Sequence, residues 1–213
     1  KQLCNSISLV SKKEAYYLKK SKGSNNAYIK NTYSFDPYFD VEKSYSFSNI
    51  ERFIFIGSDR QLQNKSSIKN LLKIWSDENI NIDLYIFGRI FNNYKTLSKR
   101  VFFKGYVNDL SQCYQKNSVL INLTEIEGGI KIKTIQAISR GIPVIGLHNA
   151  FDGLPLSIDL FKFKNISQVK SFLKSSKINN NLIKQHHIQN QIAREILTKK
   201  SVLSNWKSIF YIK

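Results

Sequence analysis

Between residues 52 and 145, short and nearly continuous apolar runs recur at intervals that leave room for an amphipathic helix between successive runs. The runs at residues 53–56, 83–87, 101–103, 119–123 and 143–145 are rich in Ile, Val, Leu and Phe and too short for buried helices, so they predict strands. Strands that are apolar on both faces and alternate with helical stretches imply a parallel sheet covered by helices on both sides. That is an α/β, Rossmann-like, doubly wound sheet. Three of the strands run directly into glycine, at Gly57, Gly88 and Gly105. In such a sheet, ligands sit beyond the carboxyl ends of the strands, where these glycines fall. Gly88 is read as an ordinary turn glycine.

The flanks are less regular. Residues 4–10 read as a short strand, and Ser11-Lys-Lys-Glu14 is a capping box that opens a helix through about Lys20. Residues 23–26 form a turn cluster and 27–30 a further strand. Residues 31–49 are rich in Ser, Asn, Asp and aromatic residues, with Pro37 among them. From Ser167 the chain is helical again. Two amphipathic stretches are followed by residues 201–211, where Trp206, Phe210 and Tyr211 form an aromatic stripe.

The most informative segment runs from Glu127 to Gly146. It reads as a glycine turn (Gly128, Gly129), a basic helix starting near Ile130, a stop at Gly141 and a buried strand opening at Ile142-Pro-Val-Ile145. Glycines let a ligand approach the backbone, and a helix amino end aims unpaired N–H groups and the positive end of its dipole at that ligand. A phosphate suits such a place. Lys131 and Lys133 fall in the first turn, where the dipole alone favours acids, so they suggest a fixed anionic ligand.

This segment resembles the donor-binding signature of family-4 (group 1) glycosyltransferases of the GT-B fold. In that family a glycine-rich turn leads into a helix carrying a glutamate, followed by Ala-x-x-x-Gly-x-Pro-Val. Ala137, Gly141, Pro143 and Val144 occupy those places, and Gly129-Ile130-Lys131 with Lys133 looks like the basic variant of the turn. Family members usually carry two glutamates with seven residues between them. Here the second place holds Gln136, and the first falls on Gly128, one residue after Glu127. The resemblance implies that the chain is the carboxyl-terminal, nucleotide-sugar-binding half of a GT-B enzyme. On that reading residues 1–49 are the tail of the acceptor-binding domain plus a linker, residues 50–198 the donor domain, and residues 199–213 a helix crossing back to the first domain. The implied reaction moves a sugar from a nucleoside-diphosphate sugar to an acceptor hydroxyl, with retention and with neither metal nor cofactor, in bacterial-type surface glycan synthesis. Glu127 and Lys133 are then the catalytic candidates. The donor-site candidates are Gly57, Ser58, Arg60, Lys65, Gly105, Tyr106, Val107, Gly128, Gly129, Ile130, Lys131 and Gln136. Among them, Arg60 offers a bidentate phosphate contact, Lys65 a point charge, and Tyr106 a ring that could stack on a base. Gln136 takes the place of the glutamate that holds the donor ribose; as a neutral group it makes weaker bonds to hydroxyls than a carboxylate.

Composition changes this picture in a few respects. The 213 residues can bury one substantial core. The chain begins at Lys1 and contains no Met, which suggests upstream sequence. No apolar run approaches the roughly 18 residues needed to span a bilayer. Cys4 and Cys113 fit neither a dense disulfide framework nor a zinc spacing and are read as reduced thiols. The net charge of +18 is spread over a chain rich in Lys, Asn and Ile throughout. It is read first as compositional drift, then as a peripheral contact with an anionic membrane, and last as nucleic-acid binding. The expected location is cytoplasmic, with peripheral attachment to the inner membrane face, and the expected partners are a nucleotide sugar and a glycan or lipid-linked acceptor.

Alternative chemistry finds little support in the residues. Glu125-x-Glu127 is a close acidic pair, but a hard cation needs more oxygen ligands, and neighbouring lysines repel it. His148, His186 and His187 show no ligand spacing, and the last two are read as solvated on a polar helix. A Walker-type loop, a nucleophile elbow and a dinucleotide fingerprint are absent. Two rivals to the transferase remain: a transferase-like module that has lost catalysis and serves as a binding or partner subunit, and a basic nucleic-acid-binding protein.

Overall fold

The computed structural model describes residues 6–9, 16–18, 20, 28–31, 46–77, 80–152, 154, 162–196, 198, 200, 203–204 and 207. The predicted capping box, Cys4 and the Trp206, Phe210 and Tyr211 stripe lie outside them. Two short strands near the start, β1 (Ser6–Leu9) and β2 (Tyr28–Asn31), pair in parallel as a two-stranded sheet.

The main sheet is built from β3 (Arg52–Ile56), β4 (Asp83–Phe87), β5 (Val101–Gly105), β6 (Ser118–Asn122), β7 (Val144–Leu147) and β8 (Lys162–Phe163). All neighbours are parallel and the order is β5-β4-β3-β6-β7-β8. This is the doubly wound order, in which the winding reverses between β3 and β6. The helices are α1 (Leu62–Asp77), α2 (Ile132–Ser139), α3 (Ile166–Leu173) and α4 (Ile178–Ile196). Right-handed crossovers running in opposite directions from the switch point place α1 and α2 on opposite faces.

Each predicted strand of the main sheet appears, shifted by no more than two residues at either end. β3 and β6 are the innermost, and every residue of β6 is buried. α1 buries Asn64, Ile68, Leu71, Leu72 and Trp75, a stripe at helical spacing, and the Trp75 Nε1 donates to Ile82 O at 2.8 Å. α2 ends in a Schellman motif around Gly141 at φ 70°. Ile142 N bonds Ala137 O and Gly141 N bonds Ile138 O.

The structure corrects the sequence reading in two places. The expected regular alternation of strand and helix fails between β4 and β6: residues 88–100 form no helix, and only a 3-10 turn (Leu110–Gln112) separates β5 from β6. The buried Asp59 takes the place of helical bonding, accepting from Phe91 N, Asn92 N and Asn92 Nδ2 and so fixing the 88–100 loop in an open path. His186, expected in solvent with His187, is buried. Phe47 from the segment before β3 packs against its ring, and Asn190 Nδ2 bonds its Nε2 at 2.9 Å, while His187 is exposed. A helix pattern cannot show a cover supplied by residues far away in sequence.

β8 lies beyond the predicted strands and pairs only with Gly146 and Leu147, so the first half of β7 lacks a strand on that side. Two buried glutamines of α4 fill the gap. Gln189 Oε1 accepts from Val144 N at 3.1 Å, and Gln185 and Gln189 both donate to Val144 O. These side chains satisfy backbone groups that would otherwise be buried without partners.

Candidate functional site

The site grows from the turn after β3. Gly57 is closely covered: a Cβ there would come within 2.6 Å of the Asn64 side-chain amide and displace it. That close approach lets Asn64, in the first turn of α1, fold back over the turn: its Nδ2 donates to Ser58 O (3.0 Å) and to Gln61 Oε1 (2.9 Å). Its oxygen is thereby aimed away from the turn, and it accepts from Lys133 Nζ at 2.9 Å.

Lys133 is the second residue of α2, and its ammonium also lies 4.7 Å from the centre of the buried Phe55 ring. Burial, with the nearby Lys131 adding repulsion, brings its pKa down to about 8. The partners that hold this charge are an amide and a ring. Neither neutralises it. No acidic residue stands in the first turn of α2. The ion pairs Arg52–Glu51 and Arg100–Asp83 belong to the opposite, amino ends of β3 and β4. A half-buried cation beside a helix amino end and without a carboxylate is chemically suited to an anion.

Around it the glycine turn takes a defined shape. Gly128 and Gly129 have φ of 90° and 65°, which L side chains rarely adopt, and open space surrounds both. Gly128 N donates to Asp152 Oδ2 (3.0 Å), and Asn149 Nδ2 donates to Glu125 O (2.7 Å), tying the loop to the segment after β7. Helix α2 starts two residues later than Ile130, because Lys131 is extended at its N-cap position. The Lys131 Nζ turns back onto the loop, donating to Gly128 O (2.7 Å) and Ile126 O (3.0 Å). From behind, the buried Tyr114 Oη donates to Lys133 O (3.2 Å) and Gln136 Oε1 (3.4 Å). Thr134 Oγ1 donates to Ala150 O and accepts from Asn122 Nδ2.

These elements enclose a cavity of about 400 Å³ at the carboxyl ends of β3 and β6, the switch point of the sheet. Of the residues singled out in the sequence, Gly57, Ser58, Ile130, Lys131, Lys133 and Gln136 line it. Gly128 and Gly129 shape the neighbouring turn without lining the cavity. Arg60 and Lys65 are not in the lining either; the exposed Arg60 lies over the Phe91 ring at 4.0 Å. Gly105 ends the edge strand β5 and Tyr106 and Val107 follow it, where Tyr106 is exposed beneath Arg89. Glu125 and Glu127 are exposed and outside the lining, and no metal-holding group of three or more His, Cys, Asp or Glu occurs among the described residues. Cys113 is a buried free thiol, pushed up to about 12 by burial and then by Asp109.

Sequence reasoning missed Gln61, Gln63, Asn64, Asn122 and Thr124, all of which line the cavity. Two signals were present. Asn64 is a polar residue on the apolar stripe of α1, Asn122 is the polar last residue of the otherwise apolar run Val119–Asn122, and Thr124 follows shortly after it. The Thr124 hydroxyl donates to Gln63 Oε1 (3.2 Å), and Asn122 Oδ1 is buried without a hydrogen-bond partner.

Residues 51–157 match the family model described as "Glycosyl transferases group 1". Among solved structures, the chain is similar to a mutant of S. aureus TarM in complex with Fondaparinux, alpha-GlcNAc-glycerol and UDP. The TM-score is 0.73 at 14% identity, covering 98% of this chain and 44% of that one. It is also similar to the apo form of the lipopolysaccharide outer core galactosyltransferase WaaB (TM-score 0.70, 15% identity, 98% and 62%). A third similar structure is that of Anabaena HepE in complex with UDP and glucose (TM-score 0.68, 9% identity, 98% and 64%). At these identities the likeness shows the fold, and the chain spans less than two thirds of each of these proteins. No curated protein sequence matches significantly.

Proposed function

Because the chain belongs to the group 1 glycosyl transferases, with their GT-B donor-domain fold, we propose that its cavity holds the diphosphate of a nucleotide sugar and promotes transfer of the sugar to an acceptor hydroxyl. The observation that carries this reading is Lys133. Its ammonium reaches the cavity through an amide tether, with no carboxylate cancelling it, at the amino end of α2.

In this reading the bond from the anomeric carbon to the diphosphate oxygen breaks, and the acceptor hydroxyl oxygen bonds to that carbon on the same face. The acceptor's proton leaves with the departing diphosphate. Lys133 and the unpaired N–H groups at the start of α2 neutralise the charge growing on that diphosphate, without a metal or other cofactor. Gln136, one turn along α2, faces the donor ribose. With its oxygen engaged by Tyr114, it presents its NH₂ group as a donor to a hydroxyl. Asn122 Oδ1 is a buried acceptor free to take a hydroxyl of the donor. Glu127 remains the proposed acidic partner from the glycine turn. Arg60, Lys65, Gly105, Tyr106 and Val107 form a proposed outer rim toward the nucleotide.

Uridine diphosphate is the first nucleotide to test, since it is named in the TarM and HepE complexes. A glycan or lipid-linked acceptor in surface glycan synthesis, and a cytoplasmic site of action, complete the proposal. No helix among the described residues is long and apolar enough to cross a membrane.

The test is thermal stabilisation by a panel of nucleoside diphosphates and sugar nucleotides. A ligand at 100 times its Kd adds about 2.7 kcal/mol to the folded state. One nucleotide should raise the melting temperature clearly; no shift with any member of the panel would contradict the reading.

A further inference from the structure

Residues 88–106 comprise the loop after β4, the edge strand β5 and the residue that follows it, and contain five cations, Arg89, Lys95, Lys99, Arg100 and Lys104, and no acidic residue. All five are exposed. The same stretch exposes Phe91, Leu97, Phe102, Phe103 and Tyr106, and Leu97 is 92% exposed. Nothing covers this edge among the described residues, because the connections on either side of β5 form no α-helix and β5 pairs with a strand on one side only. Exposed apolar side chains mark a contact site, and here they lie around the edge, Phe102 against Tyr85 on one face of β5 and Phe103 against Tyr94 on the other, interspersed with positive charge.

We propose that the β5 edge and the loop leading into it dock on the headgroup layer of an anionic lipid bilayer. Leu97 stands between Lys95 and Lys99, an apolar tip flanked by two cations, which fits shallow insertion with ammonium groups at the lipid phosphates. The unpaired N–H and C=O groups of an edge strand find partners among headgroups and water, as they would not among acyl chains. A second copy of the chain meeting this edge would bring the same positive charge against itself. A single-stranded nucleic acid needs open ring faces to stack on, but Arg89 covers Tyr106 at 4.6 Å and Arg60 covers Phe91 at 4.0 Å. The cavity lining includes none of these residues, and Gly105 and Tyr106, which the stretch shares with the proposed outer rim toward the nucleotide, are left unchanged in the test below.

Flotation of the full 213-residue chain with vesicles of phosphatidylcholine, and of phosphatidylcholine mixed with phosphatidylglycerol, tests it. The chain should float with the anionic vesicles only, and raised salt should weaken binding. Each cation at an anionic surface contributes roughly fivefold, so K95E/L97S/K99E should lower partition by about twentyfold or more. K164E/K177E, which makes the same change in net charge at exposed lysines elsewhere, should have little effect. Should the triple variant melt early, L97S alone, at a nearly fully exposed position, takes its place and should still lower partition. Absence of flotation, equal loss in both charge variants, or loss of oligonucleotide binding with vesicle binding unchanged would each overturn the proposal.

Discussion

Lys133 illustrates how one residue's environment sets its use. A lysine at the start of a helix is normally placed against the dipole, and its charge is normally solvated or paired. Here burial and Lys131 depress its pKa from 10.5 to about 8. With the folded value below the unfolded one, the charged form costs stability. That cost is full below about pH 8 and disappears as pH rises toward 10.5. For an anionic ligand the sign is opposite, since only the ammonium attracts it. The affinity for UDP should therefore fall about tenfold between about pH 7 and pH 9, with proton uptake on binding at the upper end. Calorimetry in buffers of different ionisation enthalpy measures both, and a flat profile would show that Lys133 does not face the ligand. Asn64 gives a second residue-scale prediction. Asn64→Asp would set a carboxylate where the amide oxygen now lies, 2.9 Å from Lys133 Nζ. It should raise the lysine pKa, weaken UDP binding by about tenfold or more, and move the pH midpoint above about 8. Tight binding by this variant would mean that neutralising the ammonium does not matter. Gln136→Glu tests the idle-module alternative, because a gain of turnover from near zero would show that the natural glutamine holds catalysis back.

At the scale of elements, the parallel strands were legible because each is a short apolar run closed by turn residues, and the two helices after Ser167 because each has a clear amphipathic period. The start of α2 was misplaced by two residues, since an extended Lys131 whose side chain bonds loop carbonyls has no local signature. The missing helices around β5 were illegible for a related reason: Asp59 captures the Phe91 and Asn92 N–H groups from a different loop. Burial alone would raise the Asp59 pKa, but these bonds prevail and hold it below the usual carboxylate value. β8 escaped notice because two residues carry no period, and its shortness becomes understandable only once Gln185 and Gln189 are seen serving β7. Gln189→Ala should cost about 2–3 kcal/mol, measured by denaturant titration, because Val144 N loses its acceptor inside the core. A loss under about 0.5 kcal/mol would show that water or Gln185 replaces the bond.

Across the whole molecule, the switch point between β3 and β6 decides where chemistry can occur. The strand order brings Gly57 and Asn64, from the β3 side, against Lys133 and Gln136, from the β6 side, although Asn64 and Lys133 lie 69 residues apart. The sequence marked the second group through its Gly-Gly-Ile-Lys-Ile-Lys pattern and held little hint of Asn64, Asn122 or Thr124, whose roles arise only when the two halves of the sheet meet. The outer candidates, Arg60 and Tyr106, instead lie with Arg89 and Phe91 toward the basic edge. The molecule thus has a recessed cavity lined by Lys131 and Lys133 at the switch point and an exposed rim of cations and apolar side chains at its β5 edge. The most direct test of the central claim is a calorimetric titration of UDP into the wild-type chain and into Lys133→Ala at about pH 7. Saturable binding by the wild type, weakened by about tenfold or more in a variant whose melting temperature is not lowered, is the predicted result. Equal affinity in the two proteins would contradict it.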